Sequence, residues 1–450
     1  MSNMKIKNIC CIGAGYVGGP TMAVIALKCP HINVTVVDMN KEKIKKWNGD
    51  LEHLPVYEPG LKEIIAQVRN KNLFFSDKID ESIQKSEMIF MAVNTPTKVE
   101  GKGAGMAADL SFVESCAKNI ALVSKKDKIV IEKSTLPVRT AERIKAVLKK
   151  YNNECHFEIL SNPEFLAEGS AIEDLFKSDR VLIGGDKTKS GQEAVKALVN
   201  IYLNWIPLDK IITTNVWSSE LSKLASNAML AQRISSINSL SAICEKTGAD
   251  TIEVAKAVGM DHRIGSYFLS PSPGFGGSCF QKDILNLVYL CEHYGLSEVA
   301  EFWLQVIKIN NYQRMRIVDK VEELFKNGRK GRITILGWSF KKNTNDSRES
   351  SSIYISNSLL NMGYKLNIYD PKVADERILD DLNSLNKLNN NPAYNLTSDN
   401  LQIYNSLNES IKGTDVILIL TEWDEFKNFE SDVKIIDTRN IYNGNKYFKL

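Results

Sequence analysis

The chain has 450 residues, more than one hydrophobic core normally organises, so two or three domains are expected. With 43% apolar and 25% charged residues it has the composition of a soluble globular protein, and no apolar run is long enough to cross a membrane. A net charge of +3 gives no reason to expect a nucleic-acid or membrane partner.

Residues 6–12 (IKNICCI) read as a short buried strand that follows an N-terminus too quickly glycine-rich for a signal peptide. Gly13-Ala14-Gly15-Tyr16-Val17-Gly18 comes next, then a helical run from Thr21 to Lys28, then a strand, VTVVD, ending in Asp38. Gly13 makes a tight turn, Gly15 lets a pyrophosphate approach the backbone, and Gly18 lets helix and strand pack closely. The helix N-terminus offers amide donors to phosphates, and Asp38 suits adenosine ribose hydroxyls, which favours NAD over NADP.

Further strands are expected at 88–93, 128–135 and 157–160. Each runs into a polar loop: Asn94-Thr95-Pro96-Thr97, Ser134-Thr135 and Ser161-Asn162-Pro163-Glu164. In a parallel sheet those loops lie where ligands bind, although any one of them is also a plain strand-to-helix turn.

From Val216 to Thr247 neither glycine nor proline interrupts a helical periodicity of Leu221, Leu224, Ala225, Ala228, Ala231, Ile234 and Ile237. Lys223 and Asn227 share one face of this long helix, either as a solvated polar stripe or as functional groups. Five scattered histidines lack metal-ligand spacing, so no metal site is expected. His262 reads as a general base or as an ordinary loop histidine.

The stretch GFGGSCFQKD (274–283) reads as a capping box, with Ser278 as N-cap and Gln281 three residues on. Cys279 would then occupy the first helical position, where the dipole favours a thiolate, and Asp283 would lie one turn further. A structural cysteine beside a glycine turn is the alternative. The eight cysteines form no CxxC pair, and reduced thiols in the cytoplasm are expected.

After residue 330 the alternation restarts, with strands at 332–337, 366–371, 416–420 and 434–440 and a helix at 351–360. This second parallel-sheet domain lacks a GxGxxG, so a single nucleotide is the better ligand for it. The asparagine-rich stretch 382–408 reads as loop. The expected fold is α/β, two Rossmann-like doubly wound parallel-sheet domains joined by a long central helix. The expected boundaries are 1–212 for NAD binding, 213–328 for a central helical domain and 329–450 for the second Rossmann-like domain.

A dinucleotide site combined with a presented thiol has a chemical meaning. Oxidising an alcohol to an aldehyde needs only a hydride acceptor. Taking the aldehyde on to an acid is easier once a thiolate has added to the carbonyl, because the thiohemiacetal can release hydride and leave a thioester for water to cleave.

At CIGAGYVGGPT, VYEPGL, FMAVNTPT, EKSTLPVR, LSNPEFLAEG, WSSELSKLASNAMLAQRISSINS, GFGGSCFQKD and SRESSSIYIS the chain resembles the UDP-glucose/GDP-mannose dehydrogenase family, in its eukaryotic-type UDP-glucose 6-dehydrogenase branch. The resemblance covers nearly the whole chain. It implies NAD-dependent four-electron oxidation of the UDP-glucose C6 hydroxyl to the carboxylate of UDP-glucuronate. It also implies self-association, as a homodimer or homohexamer with the long helix at the dimer core.

The family's residue roles carry over as follows. Cys279 is the nucleophile, Lys223 and Asn227 stabilise the oxygen at C6, and Asp283 activates water or takes the hydroxyl proton. Thr135 and Glu164 position the water, with Glu164 the base for thioester hydrolysis. The cofactor side comprises Gly13, Gly15, Tyr16, Val17, Gly18, Asp38, Asn94, Thr95, Ser134, Thr135 and, in support, Glu168. The substrate side adds Phe165, Leu166, Phe275, Gly276, Phe340, Lys341 and Arg439, with Arg263 reaching the phosphates from a neighbouring subunit.

Two stretches depart from the animal-type pattern. Ser270 stands where that form has a lysine near the uracil, and 103–110 reads GAGMAADL where it has GKGRAADL. The rival readings are a sister dehydrogenase acting on GDP-mannose or a UDP-N-acetylhexosamine, and a catalytically silent NAD- or UDP-sugar-binding protein.

Overall fold

The computed structural model describes residues 5–325, 328–388, 395–444 and 448–449. The chain forms two compact units, Met1–Ser226 and Asn227–Leu450.

In the first unit the strands are β1 (Asn8–Ile12), β2 (Asn33–Val37), β3 (Leu73–Ser76), β4 (Met88–Met91), β5 (Lys128–Glu132), β6 (Phe157–Ser161), β7 (Val181–Gly184) and β8 (Ile211–Thr214). They lie in the order β3-β2-β1-β4-β5-β6-β7-β8. β1 shows why its sequence makes a central strand. Ile9 and Cys11 enter the core on one face of the sheet, and Cys10 and Ile12 enter the core on the other. A strand covered on both faces has no polar side to present, so it reads as a continuous apolar run.

The pairing is parallel except between β6 and β7, which meet antiparallel through Ser161 and Gly184. β3, β7 and β8 are short strands that the sequence reading did not anticipate. β5 stops at Glu132, three residues before the expected end, because the Lys133 and Ser134 amides both turn to the Met91 carbonyl, at 3.0 and 3.1 Å. Lys133, Ser134 and Thr135 are therefore loop. The strand order reverses between β1 and β4, which opens a crevice at their carboxyl ends.

The second unit repeats this plan with β9 (Arg332–Leu336), β10 (Lys365–Tyr369), β11 (Leu401–Ile403), β12 (Val416–Ile419), β13 (Lys434–Asp437) and β14 (Phe448–Lys449). Their order, β11-β10-β9-β12-β13-β14, is again parallel and reverses between β9 and β12. Helices Phe280–His293 and Ser297–Glu322 of this unit pack on each other.

The long helix is a single element of 32 residues, Val216–Thr247, and the division between the units falls within it. Its polar stripe is not solvated, since Lys223 is 7% exposed and Asn227 5%.

The expected loop at 382–408 is corrected over much of its length. Helix Asp375–Leu388 continues into it, because Ile378 and Leu382 are buried and Leu385 packs beside them at helical spacing. β11 occupies 401–403. Residues 389–394 of that stretch lie outside the described residues.

Gly337, just past β9, has φ +99°, and a Cβ there would lie 2.3 Å from Thr421 Cβ. Gly248, past the long helix, has φ +79° with open space around it. We expect Gly337→Ala to cost about 2–4 kcal/mol and Gly248→Ala only the backbone strain of about 1–2 kcal/mol. Chemical denaturation of both variants checks this, and equal losses would mean that the approach to Thr421 is not tight.

Candidate active site

The glycine turn after β1 is built by close contacts. Gly13 has φ +114°, and a Cβ on it would lie 2.2 Å from the Ala92 carbonyl oxygen of the loop after β4. At Gly15, by contrast, a Cβ would meet nothing within 4 Å. Space at the turn, beside the helix Gly18–Lys28, is what a pyrophosphate needs, so these residues fit an NAD cofactor.

Asp38 follows β2 and accepts the Ala14 amide (3.0 Å), the Asn40 amide (2.9 Å) and Lys43 Nζ (2.9 Å). Partial burial works to raise its pKa, but these donors outweigh it and hold the carboxyl below the usual range. Lys43 was missed from sequence, although its place in the first turn after Asp38 was a usable signal. Tyr16 and Val17 occupy the turn; β4 ends at Met91, two residues before the expected end, and Asn94 and Thr95 lie in the loop that follows. Thr95 Oγ1 donates to the Thr135 carbonyl (3.1 Å) and Ser134 Oγ to the Val93 carbonyl (2.6 Å), which ties the loops after β4 and β5 together.

Glu164 lies past β6 on a cation that the sequence reading overlooked. Lys133 Nζ, on a side chain 2% exposed, is 2.8 Å from Glu164 Oε2 and also reaches Asn162 Oδ1 (3.2 Å) and Tyr202 Oη (3.4 Å). The Phe165 and Leu166 amides donate to Glu164 Oε1 at 2.8 and 3.2 Å. Burial alone would raise the Glu164 pKa, yet Lys133 and these donors bring it below the carboxylate norm. For Lys133, burial favours the neutral amine, and Glu164 overcomes it to keep the ammonium.

The Phe165 ring takes the Arg180 guanidinium at 3.9 Å and Lys223 Nζ at 5.2 Å, both in cation–π range. Leu166 packs on the core. Beyond Glu168, Glu58 accepts the Gly169 amide at 2.8 Å and anchors this segment.

In the second unit, Asn227 Nδ2 donates to Asp283 Oδ2 at 2.6 Å, and Asp283 is 1% exposed. The Asp283 amide bonds the Cys279 carbonyl (2.8 Å), which places carboxylate and thiol one turn apart. Here the capping-box expectation is corrected. The helix begins at Phe280, so Cys279 is itself the N-cap, and Ser278 Oγ lies 3.4 Å from Cys279 Sγ. A hydroxyl turned to the sulfur is not available to cap the helix amides. Cys279 is half-buried, whereas Cys10, Cys11 and Cys116 are buried thiols whose pKa is pushed up by desolvation. Those three are inert at neutral pH.

The glycine loop before Cys279 is framed by buried polar groups absent from the sequence reading. Asn310 Oδ1 accepts the Phe275 amide (2.8 Å), and Arg314 Nη2 donates to the Phe275 carbonyl (3.0 Å). A Cβ at Gly276 would lie 2.9 Å from Phe340 Cβ, so only glycine admits Phe340 there. Arg439 Nη2 donates to the Phe340 carbonyl (3.0 Å) and Nε to the Leu420 carbonyl (2.8 Å). Lys341 Nζ sits 5.6 Å from the Phe340 ring centre. Phe275, Gly276, Phe340, Lys341 and Arg439 thus gather at the carboxyl ends of β9, β12 and β13. Arg263 is not gathered with them by any such bond: it lies in an exposed turn, with Nη2 2.6 Å from Asp261 Oδ2. His262 beside it is 94% exposed at its side chain, an ordinary surface histidine.

The chain matches the models of the UDP-glucose/GDP-mannose dehydrogenase family: the NAD binding domain over residues 7–206, the central domain over 217–312 and the UDP binding domain over 334–444. It is 53% identical to UDP-glucose 6-dehydrogenase 4 of Oryza sativa subsp. japonica, covering 97% of this chain and 94% of that protein. It is equally 53% identical to the UDP-glucose 6-dehydrogenase of Gallus gallus, covering 98% and 89%. Among solved structures, a UDP-glucose dehydrogenase from the hyperthermophilic archaeon Pyrobaculum islandicum superposes with a TM-score of 0.86 at 27% identity, over 99% of this chain and 97% of that one.

Replacing Lys133 with Met strands the Glu164 carboxylate, at an expected cost of about 3–5 kcal/mol at neutral pH. In the parent, the depressed Glu164 pKa means a contribution present above the unfolded value and lost as pH falls through the folded one. In Lys133→Met the stranded carboxyl binds a proton more readily, so acidification over that window narrows the gap between the two proteins. Denaturant titrations at a series of pH values test this, and a gap independent of pH would refute the pairing.

Proposed function

Because the chain belongs to the UDP-glucose/GDP-mannose dehydrogenase family, we propose that it oxidises UDP-glucose to UDP-glucuronate with two NAD and one water. One observation carries the proposal: a half-buried cysteine at a helix N-terminus, one turn from a buried Asn227–Asp283 pair. An enzyme that stopped at the aldehyde would have no use for that arrangement. The likeness to UDP-glucose 6-dehydrogenases over nearly the full chain supports the substrate.

NAD, when bound, supplies the hydride acceptor for both oxidations. Cys279 Sγ adds to the C6 aldehyde left by the first, forming a C–S bond. Oxidation of that thiohemiacetal leaves a thioester, and water cleaves the C6–S bond to release the carboxylate and restore the thiol. Lys223 and Asn227 hold the C6 oxygen and stabilise its negative charge. Asp283 takes the hydroxyl proton or activates the water. Glu164, with Thr135, orients the hydrolytic water and is its base; Lys133 keeps the carboxylate anionic, so it accepts a hydrogen bond from that water, at a cost in basicity.

The cofactor side is Gly13 to Gly18 with Asp38, Asn94, Thr95, Ser134, Thr135 and Glu168. The nucleotide-sugar side is Phe165, Leu166, Phe275, Gly276, Phe340, Lys341 and Arg439. Arg263, exposed here, is assigned to the phosphates of a neighbouring copy's substrate. Self-association as a homodimer or homohexamer is supported by exposed Leu221, Met229, Leu240 and Ile243 on the long helix. No helix among the described residues is long and apolar enough to cross a membrane, and a cytoplasmic location is part of the proposal. The working division of the chain is 1–212, 213–328 and 329–450.

With excess NAD, UDP-glucose run to exhaustion should yield two NADH per sugar; one NADH would leave Cys279 without a catalytic role. Cys279→Ser should abolish acid formation and leave NAD affinity unchanged. Lys223→Ala should lower kcat by about 100-fold or more with little effect on UDP-glucose affinity. A pure loss of affinity would contradict its oxyanion role.

A further inference from the structure

β5 ends on Glu132, a carboxyl 1% exposed. Among the described residues, no hydrogen-bond donor reaches either of its oxygens. Its register neighbours, Met91 on β4 and Ser161 on β6, carry no charge. The group it faces is a second carboxyl, Glu220 of the long helix, 3% exposed. The nearby cations are engaged elsewhere: Lys133 with Glu164, and Arg139 with Glu142 and the Trp217 ring.

Glu220, unlike Glu132, is well supplied with donors. Its Oε2 accepts the Arg139 amide (2.8 Å) and its Oε1 the Ala141 amide (2.9 Å), at the N-terminus of helix Thr140–Tyr151. Arg139 holds φ +79°, an uncommon backbone state for a residue with a side chain, and the Glu220 bond helps to keep it there. Two buried carboxylates in contact cannot both ionise. The amides favour the anion on Glu220, so the proton belongs on Glu132, where it turns one of the two orphaned oxygens into a donor to Glu220. Burial, followed by the neighbouring carboxylate, pushes the Glu132 pKa well up.

We propose that Glu132 and Glu220 share one proton at neutral pH, and that this pair positions the Ser134–Thr135 loop, the start of helix Thr140–Tyr151 and the helical turn carrying Lys223. The positioning part rests on the function proposed above; the shared proton does not. Glu132 binds its proton more tightly folded than unfolded. The stability it contributes is therefore complete below the unfolded carboxyl value and is lost as pH rises through the folded one.

Glu132→Gln tests this, because the amide keeps the shape and donates N–H to Glu220 without titrating. Between about pH 5 and 8 the parent's unfolding constant should rise relative to the variant's, by up to tenfold per pH unit, about 1.4 kcal/mol. Parallel stability curves would overturn the shared proton. If the variant does not fold, infrared spectroscopy of the parent decides: a protonated buried carboxyl band at neutral pH supports the pair, and its absence overturns it. For positioning, kcat of the parent should fall at alkaline pH while kcat of Glu132→Gln does not, with the KM for NAD equal in both. An alkaline fall that persists in the variant would reduce the pair to a structural role. Failure of the parent to oxidise UDP-glucose would sink the function and leave the stability and infrared results standing.

Discussion

A lysine ammonium hidden from water persists only opposite an anion, and the candidate catalytic region of the first unit is arranged around one such pairing. Lys133 and Glu164 sit at the ends of β5 and β6, 2.8 Å apart, with Asn162 and Tyr202 completing the lysine's bonds. Removing water strengthens the attraction and raises the penalty for losing either partner. That penalty confines the loop after β6 to the conformation in which the Phe165 and Leu166 amides also serve Glu164. Phe165 is then placed for Arg180 and Lys223 to approach its ring.

The two sheets solve the same packing problem twice and differ where a ligand would sit. Each has its strand-order reversal beside a first strand followed by a glycine at positive φ, Gly13 in one and Gly337 in the other. Each also has an aspartate after the next strand that accepts amides from that glycine turn: Asp38 takes Ala14, and Asp370 takes Trp338 (2.7 Å) and Ser339 (3.0 Å). In the first unit the turn continues into Gly15, with open space, as a pyrophosphate requires. In the second it continues into the bulky Trp338, and the ends of its strands instead gather Phe340, Lys341 and Arg439, side chains suited to a ring and a charge.

Cysteines show how setting decides chemistry. Cys10 and Cys11 are neighbours in β1, buried on opposite faces, and desolvation holds both as neutral thiols. Cys279 has a glycine approach, a helix N-terminus and partial exposure. The same side chain is core filling in one place and a candidate nucleophile in the other.

The sequence by itself determined the α/β class, the two parallel sheets, the glycine turn with Asp38 and the length of the helix Val216–Thr247. Those features follow from local rules of period, glycine placement and breaker-free length, which a linear reading can apply. Resemblance added the candidate roles of Cys279, Lys223, Asn227, Asp283 and Glu164. Only the tertiary structure decided which groups complete them: Lys133 under Glu164, Asn310 and Arg314 around the glycine loop, and Glu220 against Glu132. Each of these joins residues 31 or more positions apart, through burial that raises the cost of an unpaired charge or polar atom. Periodicity does not record which distant partner meets that cost. Ser278 is a different case: its hydroxyl lies against the sulfur of its own neighbour, Cys279, a local choice of rotamer that residue spacing does not record either.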